Sequence, residues 1–235
     1  MNTIILRQSN EIVGTPIYNT HLPTAQREAQ TNGVAATMPM LLAARAQQSL
    51  SNDIWQNWFT ASTEEDSGAT IAGKSMVVVA HGTPILRPDR IESAYREGLY
   101  VGGARLTKEE LNSVAKNAIH IDDFFGMTQE EISELGVQYS VVLPFKRARQ
   151  TVSGYQSIDG LYENPLFIAR AGGTTTAHQF LDKLRTEKIS NYGQWHIFND
   201  VDERQAQGRL LFLYSHINGL SGNDSLINDG RFVRV

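Results

Sequence analysis

Two short, unbroken apolar runs constrain this sequence more than any other feature. Residues 76–80 read Met-Val-Val-Val-Ala, and residues 210–214 read Leu-Leu-Phe-Leu-Tyr. A strand with apolar residues at successive positions is buried on both faces, which is typical of a central strand in a largely parallel sheet. Segments with helical periodicity lie between the strand-like segments. This alternation predicts an α/β fold with a mixed, largely parallel sheet and flanking helices.

Local signals place further elements along the chain. Thr107-x-x-Glu110 and Thr128-x-x-Glu131 are capping boxes, in which a hydroxyl and a carboxylate satisfy backbone N–H groups at the start of a helix. The Gly14-Thr-Pro16 segment predicts a turn. Apolar periodicity and turn residues predict helices at 24–30, 89–99 and 175–189, and strands at 4–6, 139–145, 195–198 and 230–235.

The first quarter of the chain has a different pattern from the rest. Residues 34–59 carry apolar side chains at helical spacing, and Trp55, Trp58 and Phe59 are typical of a core or a subunit interface. Residues 60–68 are polar and rich in turn formers, which predicts a loop and a domain boundary. We therefore expect an N-terminal strand and helical extension over 1–67 and an α/β domain over 68–235, with a single domain as the alternative. The helices of the extension are a candidate homo-oligomer interface.

Composition excludes several classes of function. The 235 residues include no cysteine, which removes disulfides, thiolate metal sites and cysteine nucleophiles. The net charge of −4 argues against a nucleic-acid or anionic-membrane partner. The start of the chain has no signal-peptide pattern, and no apolar run reaches the length of about 18 residues that spans a bilayer. A cytoplasmic location is the expectation.

Gly68-Ala-Thr-Ile-Ala-Gly73-Lys74-Ser75 matches the phosphate-binding pattern GxxxxGK[ST] letter for letter. That chemistry needs a strand before the loop and a helix after it, so that backbone N–H groups face the phosphates. Here a polar segment precedes the pattern and the strand-like residues 76–80 follow it. The context favours a turn before a strand over a nucleotide site.

Two histidines and a basic segment are the remaining candidates for chemistry. His81, which Gly82 follows, and His216 each come directly after a buried strand, where α/β sheets place their ligand crevice. The alternative is that both histidines are structural. The third element, Lys146-Arg147-Ala-Arg149, follows a predicted strand and is either a solvated basic face or an anion site.

Together these elements resemble the histidine phosphatase (phosphoglycerate-mutase-like) superfamily over roughly residues 76–235. The resemblance implies a phosphohistidine at His81, a second phosphate-binding histidine at His216 and an acid at Glu163. It implies phosphate contacts from Arg147, Arg149 and Gly82, and a small phosphomonoester as substrate. Ala80 stands where the family has an arginine.

No other pattern has the spacing of an established site. His120 with Asp122, and His196 with Asp200, are more typical of solvated loops than of a metal site, so neither a metal nor an organic cofactor is expected. The absence of a GxSxG motif argues against a serine hydrolase of the α/β-hydrolase type. The sequence therefore predicts a phosphatase-like hydrolase, with a non-catalytic ligand-binding or assembly protein as the alternative.

Overall fold

A computed structural model describes residues 4–8, 10–216 and 218–235. The strands are β1 (Ile4–Gln8), β2 (Asn10–Asn19), β3 (Phe59–Ala69), β4 (Ser75–His81), β5 (Ala104–Arg105), β6 (Ile119–His120), β7 (Tyr139–Pro144), β8 (Gly154–Ser157), β9 (Asn191–Trp195), β10 (Gln207–Leu213), β11 (Leu220–Ser221) and β12 (Gly230–Arg234). The helices are α1 (Leu22–Gln30), α2 (Met38–Gln47), α3 (Asp53–Gln56), α4 (Pro88–Glu97), α5 (Lys108–Ala115), α6 (Ile121–Phe125), α7 (Gln129–Glu134), α8 (Phe145–Arg149), α9 (Ile158–Leu161), α10 (Pro165–Ala171) and α11 (Thr174–Thr186).

The strands form two sheets. In the larger sheet, neighbouring strands follow the order β6-β7-β4-β3-β10-β11-β9-β8, and β5 pairs with β10. The smaller sheet has the order β1-β2-β12, so it joins the two ends of the chain. Within the described residues, β6 with β7 and β11 with β9 are parallel, and the remaining pairs of both sheets are antiparallel. The prediction of a largely parallel sheet is wrong.

The apolar run of β4 shows why that prediction failed. Val77 and Val79 pack into one hydrophobic cluster, whereas Val78 and Ala80 pack into a second cluster on the opposite face of the sheet. The strand is therefore buried on both faces, as its sequence indicates, but both of its neighbours run antiparallel to it. Burial on two faces requires two covering layers and does not fix the direction of the neighbouring strands.

The predicted loop at residues 60–68 is instead the central strand β3, which is buried along its whole length. Several of its polar side chains have partners inside the protein. Thr63 bonds to His81 at 3.1 Å, and Glu64 accepts hydrogen bonds from the backbone N–H groups of Ile85 and Leu86 at 2.9 and 2.7 Å. A boundary after residue 67 would fall inside this strand.

Several local predictions are confirmed. Both capping boxes are present at the starts of α5 and α7, and residues 70–74 form the turn of a hairpin between β3 and β4. By contrast, Gly14 and Pro16 lie within β2 and not in a turn. Helix α1 packs against β12 and α4, and α2 packs against α11, so the N-terminal helices have partners within the chain. Across the described residues, no helix combines the length and apolar character needed to cross a membrane.

Candidate functional site

His81 lies at the end of β4 and is only 1% exposed. Its Nδ1 lies 3.1 Å from the Thr63 hydroxyl, its Nε2 lies 3.2 Å from the carbonyl oxygen of Ala169, and its ring packs 4.6 Å from that of Tyr139. Burial is the main reason that the pKa of His81 falls to about 4. The imidazole is therefore neutral at physiological pH and is committed to protein partners.

The other predicted site residues lie elsewhere on the fold. His216 is exposed in a turn with a positive φ of 54°, and Glu163 is exposed between α9 and α10. Arg147 pairs with Asp122 at 2.5 Å, and Arg149 donates to the side chain of Asn199 at 3.2 Å.

Gly82 has a positive φ of 86°, a conformation that favours glycine. A side chain at this position would overlap Gln138. Apart from the chain neighbours His81 and Gly82, no hydrogen bond, ion pair or ring contact between described residues joins any two members of the predicted set.

A different set of residues forms two clusters of aromatic side chains that both reach one cleft, and we call the two clusters together the aromatic face. It comprises Tyr18, Trp58, Phe212, Tyr214, Trp195 and Tyr155. Tyr18 meets Trp58 edge-on with ring centroids 6.3 Å apart, and Trp58 stacks on Phe212 at 6.2 Å. Tyr18 is 50% exposed.

The second half of the aromatic face lies on β8, on β9 and directly after β10. Trp195 lies between Tyr214 and Tyr155, with centroid distances of 5.9 and 5.3 Å. The Trp195 indole rests against Gly193 and Gly219, and a Cβ atom at either glycine would overlap the ring. This close approach explains why small residues flank the tryptophan.

A cleft of about 470 Å³ opens in the aromatic face, and its walls come from three parts of the chain. Trp58, Phe212 and Tyr214 supply the aromatic wall, and the segment 224–229 supplies the opposite wall. The carboxylates of Asp224 and Asp229 accept hydrogen bonds from the hydroxyl groups of Tyr214 and Tyr18, each at 2.7 Å. Burial, followed by the contact with Asp224, raises the pKa of Tyr214 to about 12.

Buried arginines hold the backbone of the loops beside the aromatic face. The guanidinium of Arg45 is fully buried and stacks 5.0 Å from the Trp55 ring. It donates to the carbonyl oxygens of Tyr214 at 2.6 Å, His216 at 3.3 Å and Asn57 at 3.1 Å. The 214–216 turn is thus attached to α2 through its main chain.

Arg209 and Arg170 have the same role at the neighbouring loops. Arg209 donates to the carbonyl oxygens of Asn223 and Asp224 at 3.2 and 3.0 Å. Arg170 donates to the carbonyl oxygen of Trp195 at 3.1 Å and pairs with Glu65 at 2.7 Å. All three arginines bind backbone oxygen atoms, so these contacts do not depend on which side chains the loops display.

Sequence reasoning missed this site, although one signal was present. Residues 214–229 contain three serines, three asparagines, two glycines and one tyrosine among sixteen positions. Tyrosine with serine, glycine and asparagine is the composition of antibody binding loops, where rigid aromatic anchors combine with adaptable hydrogen-bonding groups. Trp55 and Phe59 lie in the core, as predicted, whereas Trp58 packs against the core and also forms a wall of the cleft.

No protein-family model matches this sequence, and no curated protein matches it. One solved structure is similar, and it is described as showing "accommodation of massive sequence variation in Nanoarchaeota by the C-type lectin fold". The two chains are 26% identical with a TM-score of 0.77, and the match covers 94% of this chain and 97% of the other.

This likeness corrects the fold class and the function predicted from the sequence. A C-type lectin fold is mostly β, with mixed and antiparallel sheets, so the α/β class and the resemblance to histidine phosphatases are wrong. The hydrolase and phosphatase assignments depended on that resemblance, so they are also wrong. The chain shares the C-type lectin fold.

Proposed function

We propose that this protein is a non-catalytic binding protein whose aromatic face recognises a partner protein. The observation that carries the proposal is a set of aromatic rings, most of them partly exposed, beside loops whose backbone is held by buried arginines. Aromatic side chains are enriched at the centres of protein interfaces because they bury a large area while losing few rotatable bonds. This is the binding alternative that the sequence left open.

The exposure of the face supports a role in binding. Tyr155 is 59% exposed and Ile227, at the rim of the cleft, is 71% exposed. Large apolar side chains that form a connected patch mark interaction sites, whereas scattered ones are ordinary. Tyr155, Trp195 and Tyr214 form such a connected patch.

The similar structure from Nanoarchaeota supports the same proposal. Its description states that the C-type lectin fold accommodates massive sequence variation in Nanoarchaeota. The contacts of Arg45, Arg170 and Arg209 with backbone oxygen atoms supply a physical basis for such tolerance here. A loop that is fixed through its main chain can exchange its side chains, and therefore its partner, at little cost to folding.

Selection from a random peptide library tests the proposal. Peptides that bind the immobilised protein are retested against a face variant, Tyr155→Ser with Ile227→Ser, and a matched control, Ile71→Ser with Val137→Ser. Tyr155 and Ile71 are each 59% exposed, so the two variants remove comparable exposed apolar side chains. We expect the face variant to bind the selected peptides at least about tenfold more weakly, which corresponds to 1.4 kcal/mol. Equal binding by both variants would refute the role of the aromatic face.

The cytoplasmic location and the homo-oligomer predicted from the sequence belong to this proposal as expectations. Sedimentation of the purified chain tests the second of them.

A further inference from the structure

The cleft in the aromatic face combines aromatic walls with two carboxylates. Trp58 and Phe212 stack at 6.2 Å on one side, and Asp224 and Asp229 lie on the other side. Both carboxylates are half-buried. Partial burial weakens their screening by water and strengthens their interaction with a cation in the cleft.

Each carboxylate is satisfied only by neutral donors. Asp229 accepts from the Tyr18 hydroxyl, and Asp224 accepts from the Tyr214 hydroxyl and from the Asn228 amide at 3.3 Å. Among ion pairs within 4.0 Å in the described parts of the chain, neither carboxylate has a cationic partner.

Two arginines lie beside the cleft, and the hydrogen bonds of both go to groups other than these carboxylates. Arg209 is buried behind Asp224, where its guanidinium donates to backbone oxygen atoms, and its charge acts on both Glu65 and Asp224 without a hydrogen bond to the Asp224 carboxylate. Arg231 lies with its guanidinium 5.2 Å from the ring centres of both Tyr18 and Trp58, and it donates to the Asn57 side chain at 2.5 Å. Arg231 shows that the rings of this face accept a guanidinium.

We propose that the cleft binds an organic cation, the guanidinium or ammonium group of an arginine or lysine side chain of the partner protein. This inference rests on the proposed function, because it names the chemistry that the aromatic face recognises. The cation would lie against the Tyr214 ring, which lines the cleft together with Trp58, because the negative face of an aromatic ring attracts a cation. The carboxylates of Asp224 and Asp229 would accept its hydrogen bonds, which are strong because both groups are charged.

Nuclear magnetic resonance with a matched pair of small probes tests the proposal. N-acetyl-arginine amide carries the cation, and N-acetyl-citrulline amide has nearly the same shape without the charge. The indole N–H signal of Trp58 is the reporter, and that of buried Trp55, which donates to the Arg45 carbonyl oxygen at 2.9 Å, is the internal control. We expect the arginine probe to shift the Trp58 signal at concentrations at least about tenfold below those of the citrulline probe.

Charge variants separate a specific site from general attraction. Asp224→Asn with Asp229→Asn should remove the preference for the arginine probe, whereas the control Asp200→Asn, which changes an exposed carboxylate, should keep it. Thermal unfolding verifies that all variants are folded. Equal shifts with both probes, or an unchanged preference in the double variant, would overturn the proposal.

The peptide selection distinguishes this failure from failure of the proposed function. Selected peptides whose binding needs the aromatic face but is unchanged when arginine is replaced by citrulline would overturn the cation assignment alone. Peptides that bind the face variant and the control variant equally would overturn the proposed function as well.

Discussion

The buried carboxyl group of Asp66 allows a direct test of how the protein interior changes the protonation of a side chain. Asp66 lies on β3 with no exposed surface, and its carboxyl group lies beside the Glu64 carboxylate, which is the acceptor available to an Asp66 proton. Burial raises its pKa well above the ordinary value, and the neighbouring Glu64 carboxylate raises it further. Glu64 is held by two backbone N–H groups, so we expect Asp66 to be the member of the pair that keeps its proton at neutral pH.

The consequence is a stability that falls as the pH rises. Above the ordinary pKa of an aspartate, the unfolded chain has lost this proton while the folded protein retains it. Folding then takes up one proton, and the free energy of unfolding decreases by about 1.4 kcal/mol per pH unit until Asp66 ionises in the folded state. The variant Asp66→Asn keeps the shape of the side chain and removes this proton.

Urea unfolding of both proteins at several pH values measures the effect. Groups that do not contact Asp66 change the stability of both proteins equally, so the difference between the two free energies reports the titration of the Asp66–Glu64 pair. Between pH 5 and pH 7, we expect this difference to move in favour of the variant by about 2.7 kcal/mol. A difference that does not change with pH would show that Asp66 is ionised in the fold and would refute the reasoning.

Three further predictions concern the scaffold and the site. Arg45→Met should lower the free energy of unfolding by about 3 kcal/mol or more, because it leaves buried carbonyl oxygen atoms without donors; urea unfolding measures this, and a loss below about 1 kcal/mol would contradict it. As the pH falls from 7 to 4, the free energy of unfolding should decrease by about 3 kcal/mol through His81, because the unfolded chain binds a proton at this residue before the folded protein, in which its pKa is about 4, does so; a His81→Gln variant that is equally acid-sensitive would contradict this. Asn218→Tyr and Ile227→Tyr, both at exposed loop positions, should each change stability by less than about 0.5 kcal/mol; losses above about 1.5 kcal/mol in thermal unfolding would show that these side chains support the loops.

The sequence predicted elements well where the determining contacts are local. The capping boxes at Thr107 and Thr128 involve residues three positions apart, and both form. The apolar run at 76–80 correctly predicted a buried strand, because burial on both faces requires apolar residues at successive positions of the sequence. The direction of the neighbouring strands is set by connections elsewhere in the chain and leaves no such pattern.

The predictions failed where distant residues decide the structure. Glu65 is stable inside the sheet because Arg170, which is 105 positions away, neutralises it. A polar run of this kind is indistinguishable from a loop until its partners are known. The aromatic face likewise joins Tyr18, Tyr155 and Trp195 from three separate elements, and no motif connects them in sequence.

The composition of β3 has a consequence for how the protein is made. The partners of this strand emerge from the ribosome late: Glu65 requires Arg170, Ser67 accepts from the Gln207 side chain at 3.2 Å, and Thr60 accepts from the backbone N–H of Arg231 at 3.3 Å. Until those residues are synthesised, burying β3 would leave its carboxylate and hydroxyl groups without hydrogen-bond partners. Long-range pairing of this kind folds slowly, so the sheet is expected to close only after nearly the whole chain has been translated.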